Sequence, residues 1–183
     1  MIHFHKSIQG WCSFTDLYAE MVAKARPNAV FVEIGTWKGK SAAFMGVEIV
    51  NSGKPIKFYT VDHFRGSPNH GDNPDVAAGR LEAIARHNLA PLKGVVEIIA
   101  LPSVEAAQRF EDGSVDFLFI DGTHDYENVK ADLLAWLPKL RPGGHIAGDD
   151  ANWRGVKEAA RELLGEIRVI EPYTKGRYWR AAA

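Results

Sequence analysis

Five short runs of β-forming residues alternate with helical segments along the chain, and this alternation restricts the fold more than any other feature. The predicted strands cover residues 30–34, 57–61, 95–99, 115–120 and 145–148. Strands that are joined through helices run parallel, and right-handed crossovers place those helices on both faces of the sheet. The sequence therefore predicts an α/β fold with a doubly wound, parallel sheet.

The segments between these strands have helical periodicity, and a hairpin is predicted near the end of the chain. The predicted helices cover residues 13–25, 41–50, 76–88, 103–110, 126–140 and 156–164, and the hairpin pairs residues 167–170 with 177–180. Ser103 is the expected N-cap of its helix. Residues 141–144 (RPGG) are expected to turn the chain into the fifth strand. The polar stretch 64–75 is interpreted equally well as a lid or as a disordered loop.

Length and composition indicate one domain, residues 1–183, in an ordinary soluble protein. The 22 basic and 23 acidic side chains nearly cancel, so we expect neither a nucleic-acid partner nor binding to an anionic membrane. No run approaches the roughly 20 apolar residues that span a bilayer, and the first residues lack a signal-peptide pattern. Cys12 is the only cysteine, which excludes an intrachain disulfide and agrees with an expected cytoplasmic location.

The sequence VFVEIGTWKGKS, residues 30–41, joins the first strand to a helix through a glycine turn. Gly35 and Gly39 bracket this turn, which brings backbone N–H groups and a helix N-terminus up to a bound ligand. Glu33 lies inside the apolar strand, where a carboxylate costs free energy unless it is paired or used. Glu33 is therefore either a functional group of a binding site or a structural partner at the strand end.

Aspartates follow three of the predicted strands. Asp62 ends the second strand, Asp121 the fourth, and Asp149 with Asp150 the fifth. Ligands of doubly wound sheets bind beyond the carboxyl ends of the strands, so these side chains are expected to meet on the rim that holds the glycine turn. The alternative is that they anchor turns or cap helices.

The charges around the turn favour a cationic cofactor that carries no phosphate. Asp62 stands where an acidic residue accepts hydrogen bonds from ribose hydroxyls. The turn lacks the GxGxxG spacing of dinucleotide sites, and Trp37 and Lys38 would crowd a pyrophosphate. Glu33 suits a positive ligand. S-adenosylmethionine, which has a sulfonium and an ammonium group, fits these features.

Four motifs carry a resemblance to a known family: GWCSFTDLY, VFVEIGTWKGKS, YTVDHF and DFLFIDGTHDYENVKADLLAWLPKLRPGGHIAGDD. They are similar to the class I S-adenosylmethionine-dependent methyltransferases. More narrowly, they resemble the small metal-dependent O-methyltransferases related to macrocin and other sugar O-methyltransferases and to catechol O-methyltransferase. The resemblance extends over residues 10–170. It implies a Rossmann-like, mostly parallel seven-stranded sheet with a reversed final strand, and an N-terminal helical segment, residues 1–27, that covers the active site.

The resemblance also implies which residues bind the cofactor: Glu33, Gly35, Trp37, Ser41, Asp62, His63, Leu101, Ser103 and Asp121. Glu33 and Gly35 would hold the methionine part, with the turn backbone and Ser41 nearby. Asp62 would bind the ribose hydroxyls, and His63 would lie against the adenine. The segment after the third strand would contact the adenine edge.

Metal-binding positions of the family are matched by Asp121, Asp149 and Asp150, and the expected cation is Mg²⁺ or Mn²⁺. His124 stands where the catechol enzymes have a catalytic lysine, so His124 and Asp121 are the predicted catalytic residues. An imidazole titrates near neutral pH and could accept the proton of the acceptor. The alternative is that His124 is a solvated loop residue.

These expectations together describe an enzyme that methylates a hydroxyl of a small molecule, a sugar or a secondary-metabolite diol, with the help of a divalent cation. A hard cation can bind two adjacent hydroxyls and stabilise the alkoxide. A second copy of the chain, in a homo-oligomer, could complete the acceptor pocket. The alternatives are a nicotinamide- or nucleotide-dependent oxidoreductase, a cofactor-binding module without catalysis, and a relative that hydroxylates its substrate.

Overall fold

The computed structural model describes residues 1–67, 72–171 and 177–181. The strands in these ranges are β1 (Val30–Ile34), β2 (Lys57–Val61), β3 (Val96–Ile99), β4 (Val115–Ile120), β5 (Leu140–Gly148), β6 (Ile167–Ile170) and β7 (Tyr178–Ala181). They form a seven-stranded sheet in the order β3-β2-β1-β4-β5-β7-β6. Strands β1 to β5 pair in parallel, and β7 runs antiparallel to both β5 and β6. The predicted Rossmann-like sheet with a reversed final strand is therefore confirmed, as is the closing hairpin.

Helices cover both faces of the sheet. They are α1 (Thr15–Lys24), α2 (Lys40–Ser52), α3 (Pro74–Ala77), α4 (Leu81–Leu89), α5 (Ser103–Ala107), α6 (Tyr126–Trp136) and α7 (Arg154–Leu164), with 3₁₀ turns at His5–Ser7, Ala90–Leu92 and Leu137–Lys139. Helices α1 and α2 pack on one face, and α5, α6 and α7 pack on the other. Among the described residues, none of the helices combines the length and the apolarity needed to span a membrane.

The two central strands are apolar because both of their faces are covered. Phe31 of β1 and its register partner Phe117 of β4 pack beneath α1 and α2. The next pair, Val32 and Leu118, packs beneath α5 to α7. A strand in this position has no solvent-facing side, so its sequence is a nearly continuous apolar run. Glu33 interrupts that run.

The predicted helix at residues 76–88 is wrong in one respect, because the structure divides it into α3 and α4. Gly79 lies between them with a φ of +62°, a left-handed conformation that ends the first helix. The side chain of Asn73 accepts a hydrogen bond from the backbone N–H of Asp75, which starts α3 at Pro74. The alternatives of a lid or a disordered loop remain untested, because residues 68–71 lie outside the described ranges.

Two further local predictions are wrong. Pro102, and not Ser103, occupies the N-cap position of α5, and Ser103 is the first residue of that helix. Residues 141–144 belong to β5 and do not form a separate turn. The register with β4 shifts there: Val115 faces Leu140, whereas Phe117 faces His145. A bulge in the ladder absorbs the additional residues that had suggested a turn.

Candidate active site

A cleft of about 510 Å³ runs along the carboxyl edge of the sheet. Its walls include residues 35–37 after β1, 62–63 after β2, 102–104 after β3, 121–124 after β4 and 149–150 after β5. The aspartates predicted to share one rim therefore do so. Gly10, Trp11 and Ser13 of the N-terminal segment complete one side of the cleft.

Gly35 allows two strand ends to approach each other at the floor of the cleft. Its φ is +101°, and a Cβ atom at this position would lie 1.8 Å from the carbonyl oxygen of Asp121. The backbone N–H of Asp121 in turn donates to the carbonyl of Ile34 at 2.7 Å. Only glycine fits this position, because any side chain would push β1 and β4 apart at the floor of the cleft.

Asp62 holds the glycine turn in shape. Its Oδ2 accepts hydrogen bonds from the backbone N–H groups of Thr36 (3.0 Å) and Trp37 (2.8 Å), and its Oδ1 accepts one from Phe64 (2.7 Å). A carboxylate has about four acceptor positions, so these bonds leave room for a ligand hydroxyl. The turn-capping role and the ribose role are therefore compatible in the same side chain.

Glu33 is completely buried and lies beneath the wall of the cleft, not in it. Hydroxyl groups of Tyr18 and Thr60 donate to it at 2.7 Å each, and the Ser41 side chain bonds to it as well. Burial raises the pKa of Glu33, and these hydroxyl donors oppose that rise. Of this group, Ser41 lines the cleft, and Glu33 does not. The sequence also allowed a structural role for Glu33 at the end of the strand. In the structure, the hydrogen-bond partners of Glu33 are side-chain hydroxyls.

Leu101 also lies outside the wall and packs among the apolar side chains under α5 and α6. The wall at the end of β3 consists of Pro102, Ser103 and Val104. The other predicted cofactor residues, Gly35, Trp37, Ser41, Asp62, His63, Ser103 and Asp121, all line the cleft.

Lys38, which the sequence places beside the turn, is buried away from the cleft. Its Nζ donates to Gln9 and to Asp75, so its charge is neutralised within the protein. A diphosphate bound at the turn would therefore receive no help from Lys38. This arrangement counts against the nucleotide-dependent oxidoreductase that the sequence left open.

At the other side of the cleft, Asp121, His124 and Asp150 each offer one ligand atom, and these atoms lie within 4.8 Å of one another. His124 Nε2 is 2.7 Å from Asp150 Oδ2, and this hydrogen bond raises the pKa of His124. The indole of Trp153 stacks on the His124 ring, with a centroid distance of 5.0 Å. The imidazole is thus fixed from two sides.

The three predicted metal ligands are not equivalent. Asp121 and Asp150 belong to the group with His124, whereas Asp149 lies beside it. Oδ1 of Asp149 is buried and has no hydrogen-bond partner among the described residues. Burial and the charge of Asp150 raise the pKa of Asp149 to about 7. The pKa of Asp121 is also raised, first by burial and then by the charges of Asp149 and Asp150. Carboxylates that repel one another, one of them with an oxygen that has no donor among the described residues, fit a hard cation such as Mg²⁺ or Mn²⁺, and the imidazole widens the choice of metal.

Sequence reasoning missed Asp132 and Trp153, both of which line the cleft. A signal for Asp132 was available, because it stands on the apolar face of α6 between Val129 and Trp136. A carboxylate on such a face needs a partner or a function. Trp153 had no comparable signal, since a single tryptophan next to the start of a helix is typical of ordinary packing.

Comparison with known proteins identifies the family of this fold and cleft. A family model described as a methyltransferase domain matches residues 32–151, which is more than half of the chain. The chain belongs to this methyltransferase family. The glycine turn, Asp62 and the open cleft beside them are suited to S-adenosylmethionine.

Individual relatives are more distant. The chain is 27% identical over 170 residues to the uncharacterized protein y4gI of Sinorhizobium fredii. This match covers 93% of the chain and 18% of y4gI. A second relative is 8-demethyl-8-(2,3-dimethoxy-alpha-L-rhamnosyl)-tetracenomycin-C 4'-O-methyltransferase of Streptomyces olivaceus. The two chains are 25% identical over 181 residues, and the match covers 83% of this chain and 66% of the relative. The chain thus spans less than two thirds of either relative.

Among solved structures, cofactor-bound Rv0187 from MTB has the same fold. The TM-score is 0.68 at 19% identity, and the match covers 95% of this chain and 81% of that one.

Proposed function

We propose that this methyltransferase transfers the methyl group of S-adenosylmethionine to a hydroxyl of a small molecule, a sugar or a secondary-metabolite diol, with the help of a divalent cation. The observation that carries the proposal is the group of Asp121, His124 and Asp150, beside which an oxygen of Asp149 has no partner in the part of the chain that the structure describes. A site for a neutral acceptor with an acidic proton would not need so many buried carboxylates.

The cation would be held by Asp121, Asp149 and Asp150. When bound, it would supply positive charge that favours the ionised form of the acceptor hydroxyl. A sugar hydroxyl is a weak acid, so this assistance matters more for a sugar than for a phenol.

His124 is the proposed proton acceptor. Its pairing with Asp150 and its stacking on Trp153 hold the ring in place at the cation end of the cleft. Displacement at the methyl group requires an aligned acceptor oxygen, and correct positioning supplies on the order of 7–11 kcal/mol of the barrier.

Two aromatic side chains at the rim support a ring-shaped acceptor. Trp11 of the N-terminal segment is 70% exposed and Trp153 is 44% exposed, and both line the cleft. Flat aromatic faces pack well on sugar or aromatic rings. The Streptomyces olivaceus relative is named for O-methylation of a rhamnosyl compound, which favours a sugar. Residues 1–27 are accordingly proposed as a cover of the acceptor site within one domain.

The test is release of S-adenosylhomocysteine from the wild type in a screen of glycosides, sugar nucleotides and catechols, with Mg²⁺, with Mn²⁺ and with excess EDTA. We expect turnover with a vicinal diol and its loss in EDTA. Equal turnover in EDTA would contradict the role of the cation, and a lack of turnover with all of these hydroxyl compounds would contradict hydroxyl methylation. Asp149→Ala with Asp150→Ala should abolish the metal response, and Glu158→Gln, an exposed acidic residue of α7, serves as the matched control.

A further inference from the structure

Lys38 belongs to the glycine turn, but its side chain is buried behind the cleft wall and is only 6% exposed. Its Nζ donates to Gln9 Oε1 and to Asp75 Oδ2, at 2.5 Å each. The side-chain amide of Asn88 donates to the backbone carbonyl of Lys38 at 2.9 Å. A buried ammonium is costly unless it is paired and hydrogen-bonded, and here residues of two other segments provide both. The proposed function uses none of these contacts.

The first acceptor, Gln9, lies where the N-terminal segment enters the cleft wall. The next two residues, Gly10 and Trp11, line the cleft. Gly10 packs directly on the turn, because a Cβ atom on it would lie 3.3 Å from the Trp37 side chain. The ring centroids of Trp11 and Trp37 are 6.4 Å apart. The contact between Gln9 and Lys38 therefore fixes the chain just before the exposed Trp11 indole.

The second acceptor, Asp75, lies in α3, which supports the wall after β2. Gly66 of that wall approaches α3 closely, since a Cβ atom on it would lie 2.8 Å from Val76. Asp75 also accepts a hydrogen bond from Arg80 at 2.8 Å, but Arg80 is more than half exposed and stands at the start of α4. Lys38 and then Arg80 lower the pKa of Asp75, so it is a carboxylate at neutral pH. Lys38 thus joins α3 to the glycine turn through an ion pair.

The turn is a conformation that needs support from both sides. Trp37 has a φ of +50°, a left-handed conformation that is unfavourable for a bulky side chain. Asp62 holds the turn from the side of the cleft, by accepting hydrogen bonds from the N–H groups of Thr36 and Trp37. Lys38 holds it from behind, and it does so by contacts to two other parts of the wall.

We propose that Lys38 is a positioning residue that links the cofactor turn to the acceptor side of the cleft, through Gln9 and Asp75. This inference rests on the proposed function, in which the N-terminal segment covers the acceptor. Loss of the ammonium leaves Asp62 and its hydrogen bonds in place, so the cofactor still binds. It releases the segment that carries Trp11, and the acceptor is then held less accurately over the methyl group. Turnover falls, because alignment of the reacting groups supplies much of the rate.

Hydrogen exchange of the full chain tests this link without an acceptor. In Lys38→Met, which keeps the length of the side chain, amides of residues 8–13 and 75–80 should exchange at least about tenfold faster than in the wild type, since exchange reports local opening. S-adenosylhomocysteine should slow exchange in both segments of the wild type, but not in the variant. Calorimetry should give a dissociation constant for this ligand within about threefold of the wild type. Lys93→Met, at an exposed position, is the matched control and should change none of these values.

Gln9→Ala removes one of the two contacts at an exposed position, so it keeps the question decidable even if Lys38→Met does not fold. Exchange should become faster in residues 8–13 and stay unchanged in residues 75–80. Lys6→Ala, an exposed neighbour in the same segment, is its control. Unchanged exchange in residues 8–13 of Gln9→Ala, or in both segments of a folded Lys38→Met, would overturn the inference.

Kinetics separate positioning from a general structural role. With the hydroxyl compound that the wild type methylates fastest, kcat/KM for that compound should fall at least about tenfold in Lys38→Met, whereas KM for S-adenosylmethionine should stay within about threefold. Equal losses for both substrates would also overturn the inference. If the wild type methylates no hydroxyl compound, the proposed function fails, whereas the exchange rates still decide whether Lys38 links the segments.

Discussion

Asp62 and Asp149 both follow strands at the same edge of the sheet, yet their surroundings are opposite. Asp62 accepts three backbone N–H groups and shapes the glycine turn. Asp149 has an oxygen without a partner among the described residues, stands next to Asp150, and has a pKa raised to about 7. One half of the cleft is thus complete in the protein alone, whereas the other half carries a charge excess that a cation or a substrate has to balance. Four substitutions separate the two halves.

The largest effect is expected from Gly35→Ala. The new methyl group would overlap the carbonyl of Asp121, and the residue would have to hold a φ of +101°. We expect the free energy of unfolding to fall by about 3 kcal/mol or more, measured by urea denaturation. Gly53→Ala is the matched control, because Gly53 also has a left-handed φ but has open space around it, and it should cost about 1 kcal/mol. Similar losses in both variants would mean that the contact between β1 and β4 is not critical.

Asp62→Ala should have the next largest effect, this time on the cofactor. Without the carboxylate the N–H groups of Thr36 and Trp37 lose their acceptor, and the turn loses its shape. Affinity for S-adenosylhomocysteine should fall about a hundredfold by calorimetry, which corresponds to roughly 2.7 kcal/mol. Asp149→Ala should leave that affinity within about threefold. A loss of the same size in both variants would contradict the division of the cleft into two halves.

The pH dependence of stability tests the charge excess at Asp149. A carboxyl whose pKa is raised on folding binds its proton more tightly in the native state, so stability is lost as the pH rises from about 4 to about 7. Asp149→Asn should flatten the curve over this interval and gain on the order of 2 kcal/mol relative to the wild type at pH 8, measured in EDTA. Asp112→Asn, at an exposed position, should leave the curve unchanged. If the stability of the wild type, relative to Asp149→Asn, increased between pH 4 and 7, the pKa of Asp149 would be lowered on folding and not raised.

Tyr18→Phe should have the smallest effect. It removes one of the hydroxyl donors to Glu33 without changing the packing of the ring, and about 1–2 kcal/mol of stability should be lost. Tyr59→Phe, whose ring packs against Phe110, is the control. No measurable loss at Tyr18 would mean that Thr60 and Ser41 satisfy Glu33 by themselves.

The sequence was most informative where a pattern depends on neighbouring residues. The strands β2 and β4 have the predicted bounds, and the aspartates after β2, β4 and β5 share one edge. Where the outcome depended on distant partners, the sequence was less informative. Ser103 was expected to cap its helix, but its hydroxyl bonds to Trp136 and Asp132, which belong to another helix.

Periodic apolar runs were enough to predict a doubly wound sheet, because burial on both faces imposes a composition that can be read residue by residue. The same reasoning located the rim of acids, since parallel strands end on one side. Only tertiary packing decided where each charged side chain lies relative to the cleft. Glu33 is buried behind the cleft wall among three hydroxyls, Asp132 lines the cleft, and Lys38 pairs with Asp75. Desolvation and hydrogen bonding act through groups far apart in the chain, so these positions emerge only when the helices close over the sheet.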